Sequence, residues 1–545
     1  MERCLQIPEV LNSICEELNP PDALSVALTS RAFLEPGLDS VWYEIKSFDP
    51  LISCLPDDLW LAKQVTSHQP GMGRMSTATV LFVKKTIKPK HLKRYLSFYA
   101  PRIRSFELKT QHCKKLLSRT SLQALQLATD HQPGVFSPCL KECTIYWISF
   151  QGIQQMMGNY KEDVAPYMSL FFGCSVESLL LSLEEVPDES EDPLLAASVA
   201  LMGRRFPHVK DLVFEAPSLG WSLEVAHDFF ASSSWSYLQE LSLQYATPRL
   251  VRQLATFPCL SSLYIYDNQR QRHPDWDTPL PPYTPLGEDG FPALRELELT
   301  LDKITDAIHF LRLMSPNNKL KELQCNAYAK GCTSEECQTV IDAIRDHCNP
   351  LTLESVSLCA PEEYFNDPQA IEQIDLASED LVDLSPLYRF SKLRSLEIQF
   401  EGSVQFAEAQ IPEISRAWPD LDNLELCTRF SNPDRIPSMN HHGLLRLLQA
   451  CPKIDSLGLR IDTTQLNSKE EVSNAGTFPL KYLCFGDSPI CSPSLVVAFL
   501  RTHFPDLPSL ETTYIKRANE AQETLLDRRW KMVKETLKEV PALRN

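Results

Sequence analysis

The chain has 545 residues, 43% apolar and 23% charged, the balance of a folded protein rather than a disordered one. Its length exceeds what one compact core supports, so several domains or an elongated repeat array is expected. A net charge of -18, from 53 Lys and Arg against 71 Asp and Glu, argues against non-specific adhesion to nucleic acid or anionic membrane and favours basic partners.

The opening "MERCLQIPEVL" has no positive stretch followed by a long apolar one, and no run nears the ~20 apolar residues of a membrane helix. The 17 cysteines are therefore expected as thiols, in the cytosol or nucleus.

Three short helices are expected first. Pro8 suits a first helical turn, where a missing N–H costs nothing, and Ile7, Leu11, Ile14 and Leu18 recur as one apolar stripe. "NPPD" then breaks the chain before a second helix carrying Leu24, Ala27 and Leu28, and "AFLEPGLDSVW" supplies Phe33, Leu38, Val41 and Trp42. So small a bundle has too little interior to stand alone, so some of these apolar positions are expected to pack on something else.

A helical and loop connector is expected over residues 46–100. Within it, "GMGRMST" resembles a phosphate loop but lacks the lysine and the spacing of one, and reads as a mobile loop.

From about residue 100 an apolar-x-x-apolar-x-apolar pattern recurs every ~29 residues. Clear copies are "FPHVKDLVF", "WSYLQELSL", "FPCLSSLYI", "FPALRELEL", "KLRSLEI", "WPDLDNLEL", "CPKIDSLGL" and "FPLKYLCF"; weaker ones start at Ile103, Leu122, Leu140, Val176, Leu320 and Leu353. The last two apolar residues of each copy alternate as on a half-buried strand.

The intervening segments read as helix. In "CTSEECQTVIDAIRDHC", Thr333 and Glu336 have capping-box spacing, while Cys337, Val340, Ile341, Ile344 and Cys348 share a face. One strand and one helix cannot close a core, so the units stack: an α/β curved leucine-rich-repeat solenoid over 101–512, parallel strands on the concave side. The N-terminal helices could serve merely as its cover.

Residues 5–45 resemble the F-box. That family's pattern is met in order by Ile7-Pro8-Glu9, Val10-Leu11, Ile14, Leu18-Asn19-Pro20, Leu24, Ala27-Leu28, Ser30-Arg31, Phe33 and Trp42. Departures are Phe33 where Trp is more usual, the second proline Pro21, and Pro36, expected to loosen the third helix. With "IKPKHLKRYLSFYAPRIRSFEL" leading into the repeats, the whole layout is similar to fungal F-box proteins with degenerate leucine-rich repeats.

The resemblance implies a substrate-recruiting subunit of a Skp–cullin–F-box ubiquitin ligase, without catalytic residues of its own; no cofactor or metal is expected. Ile7, Pro8, Leu11, Ile14, Leu18, Leu24, Leu28, Phe33 and Trp42 would bind the Skp-type adaptor, and through it cullin; the repeats would hold a target protein. The alternative is a repeat scaffold without a ligase.

Residues flanking the inward pairs should face the concave surface. They include Glu107, Glu142, Asp211, Glu215, Glu240, Glu296, Glu298, Glu322, Glu397 and Glu425, against Lys109 and Arg460, with Tyr146, Tyr264, Tyr266 and Tyr482 adding aromatic area. A Lys/Arg-rich target is expected, unless the carboxylates only keep the sheet solvated.

Cys332, Cys337, His347 and Cys348 fit no standard zinc spacing. Five prolines in "RHPDWDTPLPPYTPLGEDG" make a surface linker, with Leu280 to Tyr283 resembling a WW-domain ligand. A last amphipathic helix over 516–541, with Leu526, Trp530, Val533, Leu537 and Val540 in one stripe, either closes the final repeat or binds a partner. No protease, hydrolase or paired-cysteine motif is present.

Overall fold

The computed structural model describes residues 7–68, 75–108, 115–146, 165–183, 199–200, 202–216, 220–266, 290–327, 333–359, 382–399, 404, 406–427, 436–466, 476–512 and 525–538. The chain forms two compact units, residues 1–260 and 261–545.

The first unit opens with helices α1 (Pro8–Glu16), α2 (Pro20–Ala27) and α3 (Arg31–Tyr43). Prolines occupy the first turns of α1 and α2, Asn19 Oδ1 accepts the Asp22 N–H at 3.0 Å, and Ser30 Oγ accepts that of Ala32 at 3.3 Å. Leu11, Cys15, Ala23 and Ala27 are buried. Gly37 of α3 lies against α2 so closely that a Cβ there would stand 2.7 Å from Ala27 Cβ and 2.8 Å from Ala23 O. The Ser40 hydroxyl donates to Cys15 O at 2.8 Å and ties α3 to α1. α3 runs unbroken through Pro36, so the expected loosening is absent from its course.

No linker follows. The Arg104 N–H donates to Tyr43 O at 2.9 Å, and Glu44–Ile45 pairs parallel with Ser105–Leu108. Trp42 stacks on Tyr99 at 4.2 Å, and Arg102 forms ion pairs with Glu35 and Asp39.

The connector expected as helix and loop contains a β-hairpin. Trp60–His68 pairs antiparallel with Met75–Val83, in register from Trp60↔Val83 to His68↔Met75, and Lys115–Leu117 adds a parallel third strand. The arms carry β-branched and aromatic residues at Trp60, Val65, Thr66, Thr77, Thr79, Val80, Phe82 and Val83, and Val80 and Leu81 are buried. Residues 71–74 of the expected loop lie outside the described residues, and Met75 to Thr77 belong to a strand.

The repeats form parallel strands in sequence order. In the first unit these are Glu44–Ile45, Ser105–Leu108, Glu142–Tyr146, Ser178–Ser182, Asp211–Glu215 and Glu240–Leu243. In the second, Ser262–Tyr266, Glu296–Leu301, Glu322–Ala327, Ser355–Cys359, Ser395–Gln399, Asn423–Glu425, Ser456–Gly458, Tyr482–Cys484 and Ser509–Glu511 follow one another. Register stacks the repeated leucines into one buried row, Leu263, Leu297, Leu323, Val356, Leu396, Leu424, Leu457 and Leu483. With helices and short helical turns between strands, this is the leucine-rich-repeat type of α/β solenoid.

One assigned copy is wrong. Leu122 belongs to helix Arg119–Ala128, capped where Ser118 Oγ accepts the Ser121 N–H. Leu122 and Leu125 turn inward while Leu127 is exposed, so helical spacing overrides the strand-like pattern.

Helix Ser334–His347 has its capping box, with the Glu336 N–H donating to Thr333 Oγ1 at 3.2 Å and Thr333 N–H to Glu336 Oε2 at 3.0 Å. In the second unit, helix Leu525–Lys538 buries Trp530 and Val533; Trp530 Nε1 donates to Ser488 O at 2.8 Å, and its ring packs on Phe485. It lies against the last repeats rather than free. Val540 lies outside the described residues, as do Leu280 to Tyr283.

Candidate docking surfaces

On the N-terminal helices, Ile7 is 45% exposed, Ile14 37%, Leu24 44%, Leu28 76% and Leu34 38%. Ile7 and Ile14 stand two turns apart along α1, and Leu24 and Leu28 one turn apart on α2, so each pair shares a face. The interior behind them is already closed by Leu11, Cys15, Ala23, Ala27 and Gly37. These aliphatic side chains therefore face water in the chain by itself, as interaction surfaces do.

The nine residues matched to the F-box pattern separate by role. Ile7, Pro8, Ile14, Leu24 and Leu28 are on the surface; Leu11 is 4% exposed and part of the interior; Leu18, Phe33 and Trp42 are half-buried. Trp42 is the joint to Tyr99 and, edge-on at 6.3 Å, to Tyr95. Leu34, which the pattern match passed over, joins the exposed set.

The second candidate surface is the outward side of the strands. In the second unit, register places Glu296 beside Glu322, Tyr264 beside Glu298, and Glu397 beside Glu425. Adjacent parallel strands are ~4.8 Å apart, so the Glu296–Glu322 and Glu397–Glu425 pairs crowd like charges together. Neutral donors hold them: Ser262 Oγ and Tyr264 Oη donate to Glu296 at 2.9 and 3.2 Å, and Ser357 Oγ to Glu397 at 3.2 Å. Gln399 Nε2 bridges Glu397 and Glu425, 2.8 Å from each. Gly458 leaves room for Glu425, whose Cγ would stand 2.6 Å from a Cβ there.

Neutral donors stabilise a carboxylate without cancelling its charge. Burial pushes the Glu298 carboxyl above its ordinary range, against a lowering hydrogen bond from Thr300. Glu511, hydrogen-bonded by Tyr482 at 2.9 Å, and the amides Gln324, Asn326 and Gln399 extend this face; no sequence pattern marked them. Tyr264 and Tyr266 lie with rings parallel at 6.5 Å.

In the first unit, register sets Asp211 beside Glu240 and Ser182 beside Glu215. Lys109 and the side chain of Tyr146 lie outside the described residues. Arg460 is half-buried and paired with Asp487 at 2.9 Å.

Cations stand one residue upstream of the strands instead. Lys141 and Lys210 both hydrogen-bond to Glu177, holding its carboxyl at about 2. In the second unit, Lys321 pairs with Glu354 at 2.8 Å and Lys481 with Asp455 at 2.5 Å. These ladders use up positive charge at the margin, and the outward strand positions of the second unit carry no Lys or Arg among the described residues.

Among the described residues every cysteine is a free thiol, no cluster of His, Cys, Asp and Glu is placed to hold a metal, and no helix is long and apolar enough to cross a membrane.

No protein-family model matches the chain, and no curated sequence does. Among solved structures, one chain of the crystal structure of the Rad7 and Elc1 complex in yeast matches with a TM-score of 0.33 and 14% identity, over 78% of this chain and 90% of that one. At those values the likeness carries no argument about function.

Proposed function

We propose that this chain is the substrate-recruiting subunit of a Skp–cullin–F-box ubiquitin ligase, its N-terminal helices binding a Skp-type adaptor and its outward strand faces binding a target. One observation carries the reading: aliphatic side chains at Ile7, Ile14, Leu24 and Leu28 are left in water on helices whose own interior is complete. They coincide with apolar positions of the F-box pattern. For the target, the acidic, tyrosine-bearing strand surface supports a Lys/Arg-rich segment.

The test replaces Leu24 and Leu28 together by Asp in the full-length protein. Both side chains are exposed, so folding is preserved, whereas Leu11→Asp would break the interior. Covering a leucine is worth roughly 1.5–3 kcal/mol, so the pair should lower recovery of adaptor and cullin in co-purification by ~100-fold or more. A folded double variant that still recovers adaptor refutes the assignment. A wild-type chain that recovers none leaves a repeat scaffold without a ligase.

A further inference from the structure

The net charge hides a segregation. Residues 60–130 hold fourteen Lys and Arg against two Asp and Glu, net +12. With the whole chain at -18, the other residues carry -30. Six of the fourteen fall in residues 84–94, and all six, Lys84, Lys85, Lys88, Lys90, Lys93 and Arg94, are exposed.

The fold holds them there. The hairpin strand ends at Val83 and the chain turns into helix Pro89–Arg94, anchored by Ile87 and Leu92, which are buried. Lys84 N–H donates to Leu59 O at 2.7 Å and fixes the start of the turn. Beneath the turn lies a depression of about 560 Å³, of a size that admits a side chain or small ligand. Val83, Ile87, Ala124, Leu127 and Ala128 supply its apolar wall, with Lys84, Lys85 and Lys88 on its rim. Leu127 is 63% exposed. Lys85 pairs with Asp58 at 2.5 Å.

We propose that this basic-rimmed depression is a docking site for a short acidic polypeptide segment, whose carboxylates meet Lys84, Lys88 and Lys90 while an aliphatic or aromatic side chain covers Leu127. Charge complementarity selects the sign, and the apolar wall selects a polypeptide. The -30 balance of the other residues disfavours an extended polyanion such as nucleic acid or an anionic membrane. A short segment is confined to the patch. This site shares no residue with the proposed adaptor and target surfaces, and the proposal stands whether or not the ligase reading holds.

The experiment is fluorescence anisotropy on the full-length protein. The probe is a labelled peptide of Asp and Glu around a central Leu-Phe, with a Ser-Ser version, a labelled DNA 20-mer and phosphatidylserine vesicles as comparisons. Lys84→Glu with Lys88→Glu and Lys90→Glu should weaken the probe by ~10-fold or more. Leu127→Asp and the Ser-Ser peptide should each weaken it several-fold, and rising salt should weaken it throughout.

All four side chains are exposed, and an unchanged melting curve certifies folding. Probe binding untouched by these changes, or no binding at about 1 mM, overturns the proposal. Patch-dependent binding of DNA or vesicles tighter than the peptide also overturns it. So does a gain of ~10-fold or more on replacing the chain's own six acids in residues 184–192 by Asn and Gln, which would make the occupant internal.

Discussion

Glu298 shows what the acidic strand surface costs. Its folded pKa is raised by burial above the ordinary value of 4.5, so the folded state binds its proton more tightly than the unfolded one. Stability from this group is greatest below the unfolded value and falls as pH rises through the folded one. Glu298→Gln is therefore expected to raise the urea midpoint at pH 7, to leave it nearly unchanged at pH 4, and to weaken capture of a basic target. A lower midpoint at pH 7 would show that the carboxylate is stabilising where it stands. Gln399 contributes differently, by bridging Glu397 and Glu425 and so letting two like charges sit side by side.

At the scale of elements, the N-terminal module depends on one close approach. Gly37→Val forces a side chain into Ala27 and Ala23 O, and overpacking of this kind costs ~1–3 kcal/mol. The expected outcome is a lower melting temperature together with reduced recovery of the proposed adaptor, although residue 37 is buried. Undiminished recovery would mean that the exposed leucines do not need the α2–α3 geometry.

The repeat strands were legible because Leu212, Leu241, Leu263 and Leu297 repeat a two-residue alternation that burial enforces. The hairpin strands Trp60–His68 and Met75–Val83 were not, since they are joined in register chiefly by backbone pairing, and the sequence between them lacks the Gly-containing two-residue signal of a tight hairpin. Leu122 misled for a related reason. Leucines at 122 and 125 satisfy helix and strand templates alike, and the Ser118 cap decides between them.

Across the whole molecule, the two proposed surfaces differ in charge: the N-terminal one is aliphatic and the strand one acidic. An apolar adaptor contact should be nearly indifferent to salt, while capture of a basic target on the acidic strands should weaken. Raising salt from about 0.05 to about 0.5 M is expected to change adaptor recovery by less than about twofold and to lower target recovery by ~10-fold. Equal loss of both would place the target contact on apolar ground. The basic stretch at residues 60–130 was visible as sequence throughout, but a chain-wide charge of -18 averages it away.

Composition and periodicity by themselves determined the solenoid, because a strand that buries every second side chain must repeat its leucines at that interval wherever it occurs. They also determined where the helical module begins, through Pro8 and the apolar stripe after it. Tertiary structure decided which of those apolar residues stay in water. Leu11 and Leu28 are alike in chemistry, yet one is covered by its own chain and the other is not, since burial depends on neighbours brought in by α3 and Gly37 rather than on the residue or its spacing. The same holds for the carboxylates: only strand register sets Glu397 beside Glu425 and brings Gln399 between them.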